Sequence, residues 1–391
     1  MQRRTILKGL LATFFGSWAM RAARAEDTIK IGLILPLTGP TASIGRQVSA
    51  GAKLYFAEHG AKVAGKSVEL IIKDDTGVAD ITKRIAQELV VNEKVAVLAG
   101  FGLTPLALAT ASLTVQAKVP AVIMAAATSI IVDKSPFFVR TSSTLPQSTF
   151  PMAEWAAKHG IKTAVTLVTE YGPGFDAENT FVEFFVKAGG KVLDSLRAPL
   201  ANPEFSAYLQ KAKDLKPDAL FLFVPSGQGA ALMKQVGERE FDKAGIKIIA
   251  TGDVTDDDQL NGMGDVALGL ITSHYYSVAH ESPENKAFVA AFEKANNGMR
   301  PNFMAVGGYD GIDLIFKAIE KVGDAADGTK LVEAMKGMAW ISPRGPVSID
   351  PQTRDIIQNV YIRKVEKKDG QLWNVELETI PGVKDPVHQS H

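Results

Sequence analysis

Short, mostly apolar runs rich in β-branched residues alternate with amphipathic helical stretches over most of this chain, and few folds accept that pattern. The runs fall at Ile29 to Leu35, Ser67 to Lys73, Val95 to Ala99, Val119 to Met124, 164–168, near Val192, 219–224, 247–251 and 268–276. Between them lie helical patterns. Val48, Ala52, Tyr55 and Phe56 share one face, Ile81, Ile85 and Leu89 another, and further helices open near Pro105, Ala177, Phe205 and Gln228. Strands that are apolar on both faces belong in parallel sheets covered by helices on either side, so the pattern predicts an α/β protein. After Ser277 longer helices are expected over Pro283 to Asn296, Met304 to Val322 and Thr329 to Met335, before β-like runs return at Val347 to Ile349 and Asn359 to Val365. Ser282-Pro283 has the chemistry of a helix start, a capping hydroxyl followed by a proline whose φ is already helical.

The N-terminus reads as a removable leader. Arg3 and Arg4 precede an apolar segment from Gly9 to Met20 that is too short to span a bilayer comfortably, and Ala23-Arg24-Ala25 offers small residues to a signal peptidase. The reading predicts export, a cleaved segment 1–25 and a mature start at Glu26. The run Arg3-Arg4-Thr5-Ile6-Leu7-Lys8 fits a twin-arginine signal or a Sec signal with two arginines. The leader holds five basic residues and no acid, so the mature chain carries a net charge of about −5. That charge argues against nucleic acid or an anionic membrane as partner. The mature length exceeds what one core usually organises, so two lobes are expected. With no cysteine in the sequence, disulfides, thiolate metal sites, a cysteine nucleophile and a lipid-anchor cysteine are all excluded.

Several short patterns carry no chemistry. Gly100-Phe101-Gly102 lacks the third glycine of a dinucleotide loop, Gly172-Pro173-Gly174 is a turn, and there is no HExxH, GxSxG or Walker lysine motif. Asp256-Asp257-Asp258 lacks the glycine and distal glutamate of a calcium loop and reads as a solvated loop or helix start. No cofactor and no metal are expected. His274 alone among the six histidines sits in an apolar run, as a structural or ligand-touching residue, whereas His388 and His391 read as a mobile polar tail. Thr28 to Phe56 is a strand, a polar loop and a helix, a unit that offers free N–H groups to a small polar or anionic ligand. Thr104-Pro105 reads as a helix N-cap with proline in the first turn, and Tyr171 follows a strand at the edge where open α/β sheets place ligands.

Strings along the mature chain resemble one family. They are IKIGLILPLTGPTASIGRQVSAGAKLYF at the start, AGFGLTPLALA at 99–109, VPAVIMAAATS at 119–129 and VTEYGPG at 168–174. FVPSGQGA at 223–230, ATGDV at 250–254 and GGYDGIDL at 307–314 continue the series. In this order and spacing the chain resembles type I periplasmic solute-binding proteins of the leucine/isoleucine/valine-binding family, which serve ABC importers. The resemblance implies a two-lobed α/β fold, each lobe a mainly parallel sheet flanked by helices, joined by three crossover strands and closing around a ligand. It implies lobe one at 26–144 plus 278–344 and lobe two at 145–277 plus 345–391. It implies a monomeric, periplasmic, non-catalytic receptor that delivers a small carboxylate to an inner-membrane permease and its ATPases.

By the same resemblance, the hydroxyl at Thr104, the backbone of Ala126 and the hydroxyl of Thr128 hold the ligand carboxylate, and Tyr171 reaches it from lobe two. Phe101, Ser226, Tyr275 and Met304 are further candidates at the mouths of their segments, Phe101 because its flanking glycines leave a ring free to project. Amino-acid binders carry an acid, usually glutamate, near Asp253 to pair with the ligand ammonium. Here the acid is the shorter aspartate, and Ile44 stands where such binders often have an aromatic. Both an apolar amino acid and an aromatic carboxylate such as benzoate therefore stay open. A sensor of the same fold and an exported enzyme on a doubly wound sheet are the rival classes.

Overall fold

The computed structural model describes residues 28–389, so the leader and His391 lie outside the described residues. Two sheets organise the chain. The first holds Ile29–Leu35 (β1), Lys62–Val63 (β2), Lys66–Asp74 (β3), Val97–Gly100 (β4), Ala121–Ile123 (β5) and Phe138–Arg140 (β6), in the order β2-β3-β1-β4-β5-β6. All its pairings are parallel except the short β2–β3 turn-back. The second holds Thr163–Thr169 (β7), Lys191–Ala198 (β8), Ala219–Phe223 (β9), Lys247–Thr251 (β10) and Ile271–His274 (β11) in parallel register. Ala339–Ser342 (β12), Gly345–Ile349 (β13), Ile356–Lys368 (β14) and Gln371–Val383 (β15) extend it antiparallel, β14 pairing with β11 and β15 lying on β14. The chain passes between the sheets three times, after β6, after β11 and after the helix Gly328–Met335.

The central strands are apolar because both faces are covered. Ile31, Leu33 and Leu35 of β1 pack on one face against the helices Ala42–His59 and Phe303–Val322, while Ile34 joins Leu98, Ile123 and Phe138 beneath the other. Those two helices touch backbone to backbone. A Cβ on Gly51 would sit 1.9 Å from the Ala305 carbonyl oxygen, and one on Gly308 would sit 2.2 Å from that of Val48. The helix Pro283–Ala295 begins as its sequence predicts, the Ser282 hydroxyl accepting the Asn285 N–H.

Some expectations change. Phe101 takes φ +65 directly after Gly100 at φ +107, a sharp left-handed turn at the end of β4, and its ring is buried in the first core instead of projecting. Leu103, not Thr104, is the N-cap residue, and no side chain caps that helix. The aspartate triplet is not solvated: Asp256 and Asp257 are each 2% exposed. His388 is packed on the protein, its Nδ1 3.2 Å from Asp355, and that carboxylate holds its pKa up to about 9.

Candidate ligand-binding cleft

Parallel strands bring their C-terminal ends to one edge, and almost every residue of the cleft between the sheets sits one to a few positions past such an end. Thr104 follows β4, Ala125 to Ala127 follow β5, and Ser143 to Leu145 follow β6. From the other sheet, Tyr171 follows β7, Phe223 to Ser226 close β9, Asp253 follows β10, and His274 with Tyr275 end β11. Ile44, Phe303 and Met304, from the starts of two helices, complete the lining of the cleft.

The two ends differ in chemistry. On the first side the Thr104 hydroxyl lines the cleft, and 2.7 Å behind it lies the hydroxyl of Thr128, which is buried but not part of the lining. The turn that carries Thr128 is held from below by Arg140, whose guanidinium donates to the carbonyls of Ala126 (3.2 Å) and Thr128 (2.8 Å) and pairs with Asp355 at 2.7 Å. Ala126 has no backbone group to spare for a ligand. Its N–H bonds the Phe101 carbonyl at 3.0 Å, and its carbonyl accepts from Arg140 and Ser142. The anchoring part expected of that backbone is therefore corrected.

The other side is aromatic and acidic. Tyr171 lies nearly parallel to Phe223 with ring centroids 6.1 Å apart, and His274 stacks on Tyr275 at 4.4 Å with its edge against Phe303 at 4.3 Å. Burial, with Arg363 and Arg344 adding to it, holds the His274 pKa well down, so the imidazole is neutral. Its Nε2 is 3.7 Å from Asp253, too long for a hydrogen bond. Burial pushes the Asp253 carboxyl up to about 6, partly offset by the charge of Arg363. Ser226 lines the cleft but donates its hydroxyl to Asp256.

The two sides also touch at the rim. The Ser129 N–H donates to Asp176 at 2.9 Å, and Gln47 donates to Asp258 at 3.2 Å. A Cβ on Gly172 would lie 2.7 Å from the Thr128 hydroxyl, so only glycine lets the helix Gly172–Lys187 come this close. Sequence reasoning missed Ser143, Thr144, Ser148, Phe223 and Phe303. One signal for the helix that carries Ser148 was legible: Thr144 and Gln147 form a capping box, each side chain bonding the other's backbone N–H.

Two α/β lobes facing each other across an aromatic cleft define a ligand-capturing protein. Residues 28–371 match the profile of the family described as periplasmic binding protein, and the chain belongs to that family. It is 43% identical over 385 residues, 97% of this chain and 99% of the relative, to the Leu/Ile/Val-binding protein homolog 6 of Brucella abortus. A solute-binding protein of an ABC transporter from Rhodopseudomonas palustris BisB5, solved with 3,4-dihydroxybenzoic acid, is 58% identical with a TM-score of 0.91, covering 93% of this chain and 100% of that one. Another, from strain HaA2 with p-hydroxybenzoic acid, is 43% identical over the same shares with a TM-score of 0.91.

Proposed function

We propose that this chain is the periplasmic substrate-binding component of an ABC importer, and that it captures a hydroxylated benzoate for delivery to a membrane permease and its ATPases. The observation that carries the reading is the pairing of unlike ends across an aromatic slot. The Thr104 hydroxyl, backed by that of Thr128, suits a carboxylate, Tyr171, Phe223, Tyr275 and Phe303 suit the ring, and Asp253 suits a ring hydroxyl as acceptor. The benzoate complexes of the similar structures support it. Contacts from both lobes exist together only when the cleft is shut, so the ligand favours closure by differential affinity. The amino-acid reading rests on the same Asp253, which would pair with an ammonium, and on the relative from Brucella abortus.

Asp253 separates the two. By calorimetry on refolded, ligand-free protein, 4-hydroxybenzoate is expected to bind more tightly than benzoate. Asp253→Asn should weaken 4-hydroxybenzoate about tenfold while leaving benzoate nearly unchanged. Leucine binding that Asp253→Asn abolishes, with no response to either benzoate, would replace this reading with the amino-acid one.

The same carboxyl has a cost. Its folded pKa of about 6 lies above the ordinary 3.8, so the folded state holds its proton more tightly than the unfolded chain. The penalty on folding is absent below pH ~4, grows as pH rises to ~6, and is full above that, on the order of 3 kcal/mol. Asp253→Asn is therefore expected to stabilise the ligand-free protein at pH 7.5, with the gain fading toward pH 4. Denaturant melts at both pH values measure it.

A further inference from the structure

Away from the cleft, the last described turn, Pro386–Gln389, folds back beside the start of β14. There His388 Nδ1 lies 3.2 Å from Asp355 Oδ2 and 3.7 Å from Asp385 Oδ2. One ligand atom from each of the three residues lies within 4.8 Å of the others. The Asp355 and Asp385 side chains are only 2% and 1% exposed. Asp385 uses Oδ1 to accept the Val387 N–H at 2.9 Å, but its Oδ2 accepts no hydrogen bond, and neither does Asp355 Oδ2. Asp133, Asp355 and Asp385 all crowd one imidazole, so the two nearly buried carboxylates share a single small cation.

Ion pairs account for only part of this cluster. Arg140 takes the other Asp355 oxygen at 2.7 Å, and Lys384 is engaged by Asp350 at 2.9 Å. Asp133 stands 3.3 Å from the far nitrogen of His388, so carboxylates crowd the imidazole from both sides.

We propose that Asp355, Asp385 and His388 form a binding site for a divalent transition cation of the zinc type. Two carboxylate oxygens and one imidazole nitrogen are a donor set such ions accept, and three protein ligands leave a fourth position for water. Ligands about 2.0 Å from a tetrahedral ion lie about 3.3 Å from one another, so the present spacing closes by small side-chain rotations. The way in is a surface cavity lined by Thr353, Lys384 and the three ligands themselves. Binding releases the imidazole proton. The occupied site would pin the C-terminal turn to β14 and, through Asp355 and Arg140, to the turn carrying Thr128.

The test uses the full mature chain without a C-terminal tag, dialysed against a chelator. Titration with Zn2+ is expected to show one ion per chain, and Co2+ to give visible d–d absorption bands. Asp385→Asn and His388→Gln should each weaken Zn2+ binding about tenfold or more while the fold and benzoate binding persist. Failure to bind Zn2+ stoichiometrically overturns the proposal. So does Zn2+ binding of unchanged affinity in both folded variants, which would place the ion elsewhere.

Discussion

Replacing Thr104 and Thr128 together by valine is expected to weaken 4-hydroxybenzoate binding at least 100-fold while leaving the fold intact. The two hydroxyls lie 2.7 Å apart in a buried wall and satisfy each other without ligand. Valine keeps their shape, and replacing both partners of a hydrogen bond by apolar groups costs stability little. A ligand carboxylate, by contrast, loses two charge-assisted hydrogen bonds, each about 1.5–3 kcal/mol. Calorimetry with 4-hydroxybenzoate, beside thermal melts of the free variants, reads both quantities. Retained affinity would remove the carboxylate from this end of the cleft.

Arg140→Met carries the largest expected loss of stability, about 3–5 kcal/mol by denaturant unfolding. The guanidinium is fully buried and its charge faces Asp355, so methionine strands a carboxylate and three backbone carbonyls. Ligand affinity should fall with it, because two of those carbonyls belong to the turn that presents Thr128. Lys243→Met is the natural contrast. Lys243 pairs with Glu240 at 2.6 Å with both side chains more than half exposed, and its loss should cost less than about 1 kcal/mol. Equal costs for the two variants would mean that burial does not set the worth of these pairs.

Much of the framework was legible because buried parallel strands announce themselves. The runs at 29–35, 164–168 and 219–224 have no polar face, and only a sheet covered on both sides uses such strands. Elements that lack this signal were passed over. The helix Leu145–Lys158 carries Pro151 in its interior, which argues against a helix locally, and its capping box at Thr144 was not weighed. β15 rides on the outside of β14, half solvated, so its sequence is mixed and weakly periodic. At the site, position past a strand end pointed to Tyr171 and Tyr275, the family resemblance pointed to Thr104 and Asp253, and all four line the cleft. What position could not settle is where a side chain points or whether a backbone group is free. Phe101 turned inward because its own φ is left-handed, and the Ala126 N–H was already taken by Phe101. Nor could local sequence show that Asp256 and Asp258 are covered, since Ser226 and Gln47 that meet them come from distant segments.

The placement of the cleft residues just beyond the strands separates what the protein is from what it selects. Sheet hydrogen bonds are complete before the chain reaches Thr104, Tyr171 or Asp253, so those positions can change without disturbing a ladder. A lineage can thus exchange one cargo for another by drift at a few loop sites while its architecture stays put.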